Sequence, residues 1–341
     1  MSNSKTNLIN ELLCRIRIMT RSYPVVASGT VLACALSMAP LTALCHERLS
    51  DTSQIAWFNF GGGILPKAGD SVIAIGFVNN RFKKIAGNDG DMKKPLKDVD
   101  VNVYGGVLTA LHMTEQKLFG ADYGFKISAP YLDVDSQSTV GNHTASASYS
   151  DFLNVTVSPL ILQWRDPTFR FSQNFQLSFG VPIGTYDNKT TANSGWDNYS
   201  IEPEYSATFI TKDGYEFSNR LAVRYNFRNR AEGIYENGTI TGRYKNGTTA
   251  AWNFALGKHF GAFTVGVSGY ALSQLTDDEI DSERSGNDGR RARSYGVGPS
   301  LLYRDLKSQT SPIVSAKFYY DFGAKNRSEG QTASVAIVFP F

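Results

Sequence analysis

Apolar and polar residues alternate along this chain from about residue 70 onward. In the clearest stretch Phe169, Phe171, Phe175, Leu177, Phe179 and Val181 fall on one side of an extended backbone, and Arg170, Ser172, Asn174, Gln176 and Ser178 on the other. Residues 215–227 repeat this, with Tyr215, Phe217, Leu221, Val223, Tyr225 and Phe227 opposing Glu216, Ser218, Arg220, Arg224 and Asn226. Side chains of a strand point alternately to its two faces, so each stretch is a strand with one greasy and one wet face. Twelve such segments are predicted, at about 70–82, 98–113, 119–134, 150–163, 169–182, 198–211, 214–229, 249–260, 261–275, 292–304, 312–323 and 332–341. Most reach the roughly nine to eleven residues that a tilted membrane strand needs.

The connections point the same way. Short links near 114–118, 164–168, 212–213, 260–261 and 305–311 alternate with long polar ones near 83–97, 135–149, 183–197, 230–248, 276–291 and 324–331. Short periplasmic turns and long external loops are the layout of an outer-membrane barrel, and an even strand number returns the last strand to the side where the first began. The predicted fold is all-β: a transmembrane antiparallel up-and-down β-barrel of about twelve strands, spanning residues 70–341. Such a barrel satisfies every backbone hydrogen bond between strands and leaves no edge in the hydrocarbon.

Residues 1–45 carry a different pattern. Arg21, an apolar run from Val25 to Leu36 and small residues near Ala43 are the parts of a secretory signal peptide, with Met19 a possible start. The run is too short for a spanning helix. A lipoprotein box ending at Cys34 is the alternative. All three cysteines, Cys14, Cys34 and Cys45, precede residue 46, so the barrel contains no disulfide, zinc-thiolate cluster or cysteine nucleophile. Residues 46–69 form a periplasmic lead or a plug. Their apolar, glycine-rich stretch around Trp57, Phe58 and Phe60 either folds into the barrel mouth or stays a flexible lead.

Charge excludes a nucleic-acid binder, since 34 Lys and Arg stand against 31 Asp and Glu. The charges that matter are those on the wet faces. Lys126, Arg170, Glu202, Glu204, Arg220, Arg224, Lys317 and Asp321 are candidates to line the lumen. Glu202 and Glu204 face Arg220 and Arg224 of the next strand, so ion pairs are expected across the ladder. These either fill and stiffen the lumen or line a constriction that selects solutes. Only four histidines occur, none spaced for a triad or a metal site, so no catalytic residue, metal or cofactor is expected. The acidic stretch Asp277, Asp278, Glu279, Asp281 and Glu283 is either a solvated loop or a cation site.

The last strand places Val335, Ile337, Phe339 and Phe341 on one face with an aromatic at the terminus. It resembles the carboxy-terminal signal read by the barrel assembly machinery, with outer-membrane lipids and lipopolysaccharide as further partners. Five short motifs, Phe119 to Phe125, Ser158-Pro159-Leu160 with Gln163-Trp164, Gly180 to Tyr186, Asn226 to Asn229 and Gly296 to Pro299, stand in the order seen in one bacterial family. Over about residues 70–341 the chain resembles the "phenol meta-pathway degradation protein-like" family. The resemblance implies an outer-membrane barrel of a Gram-negative bacterium for passive uptake of a small-molecule solute, aromatic or hydrophobic, with no catalytic residues to carry over. The alternative is a structural or adhesive barrel with a filled lumen and working external loops.

Overall fold

The computed structural model describes residues 55–168, 170–186, 196–236, 239–285, 289–305, 308 and 310–341. The expected signal peptide, residues 46–54 of the predicted lead and Phe169 lie outside these. Eighteen strands form: β1 (Ser71–Ala86), β2 (Leu96–Leu118), β3 (Ala121–Val140), β4 (His143–Phe152), β5 (Val155–Arg165), β6 (Phe171–Val181), β7 (Ser200–Ile210), β8 (Tyr215–Asn226), β9 (Gly233–Glu236), β10 (Thr239–Gly242), β11 (Tyr244–Lys245), β12 (Thr249–Phe260), β13 (Phe263–Gln274), β14 (Glu279–Ile280), β15 (Glu283–Arg284), β16 (Arg293–Tyr303), β17 (Ile313–Lys325) and β18 (Arg327–Pro340).

Thirteen of these make one antiparallel sheet, closed on itself by the β2–β3 pairing. β4 lies outside the ring, on the outer half of β3, so twelve strands form the barrel wall. β5 continues along the inner half of the same β3, with Leu153 and Asn154 between the two. The closing seam joins β1 to β18 from Val72↔Pro340 to Ala86↔Arg327, and Ser71 and Phe341 exchange backbone hydrogen bonds at 3.0 and 3.1 Å. The five short turns lie at this end of the barrel.

The twelve predicted segments correspond to the twelve wall strands; at the long-loop end the expected loops at 230–248 and 276–291 carry the short strands β9–β11, β14 and β15, and two other loops differ more. The expected loop at 135–149 is mostly a two-stranded hairpin, β3 paired with β4 from Tyr131↔Phe152 to Val140↔His143. The expected loop at 324–331 shrinks to Asn326, because β17 and β18 run on past it. In both extensions the apolar alternation stops, although Ala324, Arg327 and Ser328 are buried. A ladder needs extended, hydrogen-bonded backbone and not a greasy face, so hydropathy marks the span of the bilayer rather than the end of the strand.

Prolines interrupt the wall. At Pro159 the register slips against both neighbours, between Gly124 and Lys126 of β3 and between Val157 and Leu160 with β6. At Pro299 the β16–β17 pairing passes from Val297↔Tyr320 to Ser300↔Lys317 without it, as a residue lacking a donor requires.

The outward faces are apolar and exposed, with Ile73, Leu108, Leu221, Leu256 and Val267 among them. Aromatic rings cluster at both ends of the apolar zone. Phe263 and Tyr303 meet at 5.2 Å near the short turns; Tyr131 with Phe152 at 5.2 Å and Tyr295 with Phe322 at 5.7 Å mark the other end. Two such girdles about an uncharged band fit a bilayer, in whose middle an outward Lys or Arg would cost about 2–4 kcal/mol. Lys258 points outward, but at the lower girdle, with its ammonium 4.6 Å from the Tyr215 ring centre.

Candidate functional site

The inward faces are mostly polar, with many serines and threonines among them. Ser158 and Ser178 share a hydrogen bond at 2.7 Å across β5–β6, and Thr208 and Ser218 do the same across β7–β8. Short hydroxyl side chains leave room at the axis, and residues 55–66 occupy it toward the short-turn end.

This segment is held mainly through its own backbone. The Ala56 N–H donates to Asn253 Oδ1 at 2.9 Å, Gly61 N–H to Glu216 Oε1 at 2.6 Å, Gly63 N–H to Thr208 Oγ1 at 2.9 Å and Leu65 N–H to Gln163 Oε1 at 3.0 Å. Its carbonyls accept in turn: Gly62 from Asn174 Nδ2 at 3.0 Å, Gly63 from Gln163 Nε2 at 3.2 Å, and Leu65 from Arg165 Nη2 at 2.7 Å. Lys317 Nζ donates to the Ala56 carbonyl, and Asn59 Nδ2 to the Tyr319 hydroxyl. The partners stand on β5, β6, β7, β8, β12 and β17, so the segment is tied around half the ring.

Its aromatic side chains seat on gaps in the wall. Phe60 is buried with Ala255 and Leu302, and a Cβ added at Gly257 would stand 2.5 Å from its ring. Trp57 lies against Gly76, where an added Cβ would come within 2.7 Å of the indole. Phe58 is half-buried beside the same cluster as Phe60. Ile55 joins Tyr270, Leu272 and Tyr319.

The expected ion pairs form in the wall. Arg220 Nη2 stands 2.6 Å from Glu204 and 3.3 Å from Glu202, and Arg224 Nε 2.7 Å from Glu202. Lys126 Nζ on β3 reaches past β5 to donate to Gln176 Oε1 on β6 at 2.7 Å. Asp321 lies apart from this group and accepts from the Tyr270 hydroxyl at 2.7 Å. Arg170 does not line the lumen: it is exposed in the turn before β6, because that turn, opened by Pro167, delays the strand until Phe171.

Pattern reading did not single out Gln163, Asn174, Thr208, Glu216, Asn253 or Tyr319, the wall groups that grip the segment. Their signal was polarity on the inward strand faces, uncharged except for Glu216, together with a run of glycines that exposes backbone donors and acceptors. Among the described residues no three His, Cys, Asp or Glu side chains are grouped to hold a metal ion. The acidic stretch is spoken for: Asp277 pairs with Arg291 at 2.6 Å and Arg284 at 3.0 Å, Asp278 accepts from Gly247 N–H at 2.7 Å, and Glu279 pairs with Lys245 at 3.4 Å.

The chain matches the family described as "Putative MetA-pathway of phenol degradation" over residues 80–337. No curated protein matches it in sequence. Among solved structures it is similar to the COG4313 outer membrane channel from Pseudomonas putida F1, at 11% identity and a TM-score of 0.67, covering 81% of this chain and 97% of that one. The transport unit of the autotransporter AIDA-I from Escherichia coli aligns at 11% identity and a TM-score of 0.45 over 89% and 97% of the two chains. The CymD monoaromatic hydrocarbon channel aligns at 9% identity and 0.41 over 83% and 94%. With the match spanning most of the wall strands and the barrel closed, the chain belongs to the phenol-degradation family named above and is a β-barrel of the Gram-negative outer membrane.

Proposed function

We propose that this barrel passes small hydrophobic or aromatic compounds across the outer membrane by passive diffusion, with residues 55–66 as a plug. The observation that carries the reading is the segment itself, bound by its backbone to polar groups on six strands where a solute would otherwise pass. Backbone held one hydrogen bond at a time makes an exchangeable fit, since each net bond contributes only about 0.5–1.5 kcal/mol to the neutral amides and hydroxyls and about 1.5–3 kcal/mol to the charged Glu216, Arg165 and Lys317. The family description places relatives in phenol degradation, and the Pseudomonas putida structure is described as a channel, which supports the same role here. Glu202, Glu204, Arg220 and Arg224 then line the passage beside the plug. Nothing in this role calls for a catalytic group.

Deleting Trp57–Pro66 tests it. Planar-bilayer recording of the deletion variant is expected to show single-channel conductance several-fold above the full chain, and an unchanged conductance would count against the plug. One feature favours the second reading, a structural or adhesive barrel: the β3–β4 hairpin reaches beyond the membrane and ends the sheet at β4. A deletion variant that conducts nothing would support that reading.

A further inference from the structure

Lys317 differs from the two paired arginines of the lumen wall. It is buried, 7% exposed, on the inward face of β17. Arg220 and Arg224 each meet carboxylates at 3.3 Å or closer, whereas among the described residues Lys317 has none within 4.0 Å. Its Nζ donates to two neutral oxygens, the Ala56 carbonyl and Asn59 Oδ1, the second at 3.3 Å. Both belong to the segment in the lumen and neither to the wall.

An ammonium taken out of water against neutral acceptors alone is poorly compensated. Whenever residues 56–59 move aside, the wall keeps a bare positive charge and loses both acceptors. On one side the Tyr319 ring centre lies 5.1 Å from Nζ, with Tyr270 packed 5.7 Å from Tyr319 and Ile55 and Leu272 in the same cluster; across the ladder the neighbours of Lys317 are Ser300 and Ser334. A cation beside tyrosine rings and aliphatic side chains is complementary to a planar apolar molecule carrying one carboxylate.

We propose that Lys317 is the anion-binding residue of the lumen, taking the carboxylate of a small aromatic acid in competition with Ala56 and Asn59. Solute binding and plug release are then one equilibrium, because the ammonium is held either by the segment or by the solute. This rests on the channel reading above and names its solute class.

The test uses the full chain in detergent micelles, titrated calorimetrically with benzoate and with benzyl alcohol, its neutral counterpart. The wild type is expected to bind benzoate at least tenfold more tightly than the alcohol. Lys317→Met should abolish that preference and Lys317→Arg should retain it, while amide hydrogen exchange at residues 56–63 should accelerate on adding benzoate to the wild type. Equal affinities for the two probes, or a benzoate preference that survives Lys317→Met, would overturn the proposal. Conducting pores in the deletion variant without a benzoate preference remove this inference alone, whereas a silent deletion variant removes the channel reading with it.

Discussion

Glu216 shows how single side chains set the state of the lumen. Its carboxylate accepts from the Gly61 N–H and the Ser218 hydroxyl, both at 2.6 Å, and stands 2.9 Å from His259 Nε2. Glu216→Ala strands the Gly61 donor and removes a charged acceptor, an interaction of about 1.5–3 kcal/mol. The plug should open more often, read as a higher open probability in bilayer recordings at unchanged open-state conductance. Arg220 acts on the wall instead. Arg220→Met leaves Glu204 without its 2.6 Å partner in a buried site, a loss of about 3–5 kcal/mol that should lower the thermal midpoint in detergent. Adding Glu204→Gln to it should recover much of the loss, because the orphaned charge disappears with its partner. These pairs were readable in advance because Glu202 and Glu204 share a face and Arg220 and Arg224 share the facing one. The grip on residues 55–66 was not, because it runs through backbone atoms that carry no sequence signature beyond glycine.

Strands were readable wherever lipid covers one face and the lumen wets the other. The chain from Asp135 to Ser148 has serine, threonine and alanine on both faces, so it offered no alternation although it pairs with full register. Its outer part packs little apolar surface, mainly Val140 beside Leu96 and Val99. Val134 and Tyr149, by contrast, belong with Phe82 and Val103 to a cluster just above the wall. Replacing Asp135–Ser148 by an Asn-Gly turn keeps that cluster and should cost about 1–2 kcal/mol, lowering the melting midpoint by only ~2–8 °C. The shortened protein should still migrate as a folded barrel on unheated gels and conduct like the full chain. Failure to fold would mean that the hairpin templates the wall. Arg170 marks the opposite error, a residue placed on a strand by alternation but left in a turn by Pro167.

At the scale of the molecule, the chain is divided between two solvents. Lipid meets the apolar exterior, and the lumen, lined by serines, amides and ion pairs, holds residues 55–66. The tryptophans report on both sides of the wall. Trp252 is exposed on the outward face of β12, whereas Trp57 lies inside against Gly76. The most direct measurement is tryptophan fluorescence in liposomes made with lipids brominated along their acyl chains, on variants retaining only Trp252 or only Trp57. The account predicts strong quenching of Trp252 and near-complete protection of Trp57. Equal quenching of the two, or protection of Trp252, would contradict it.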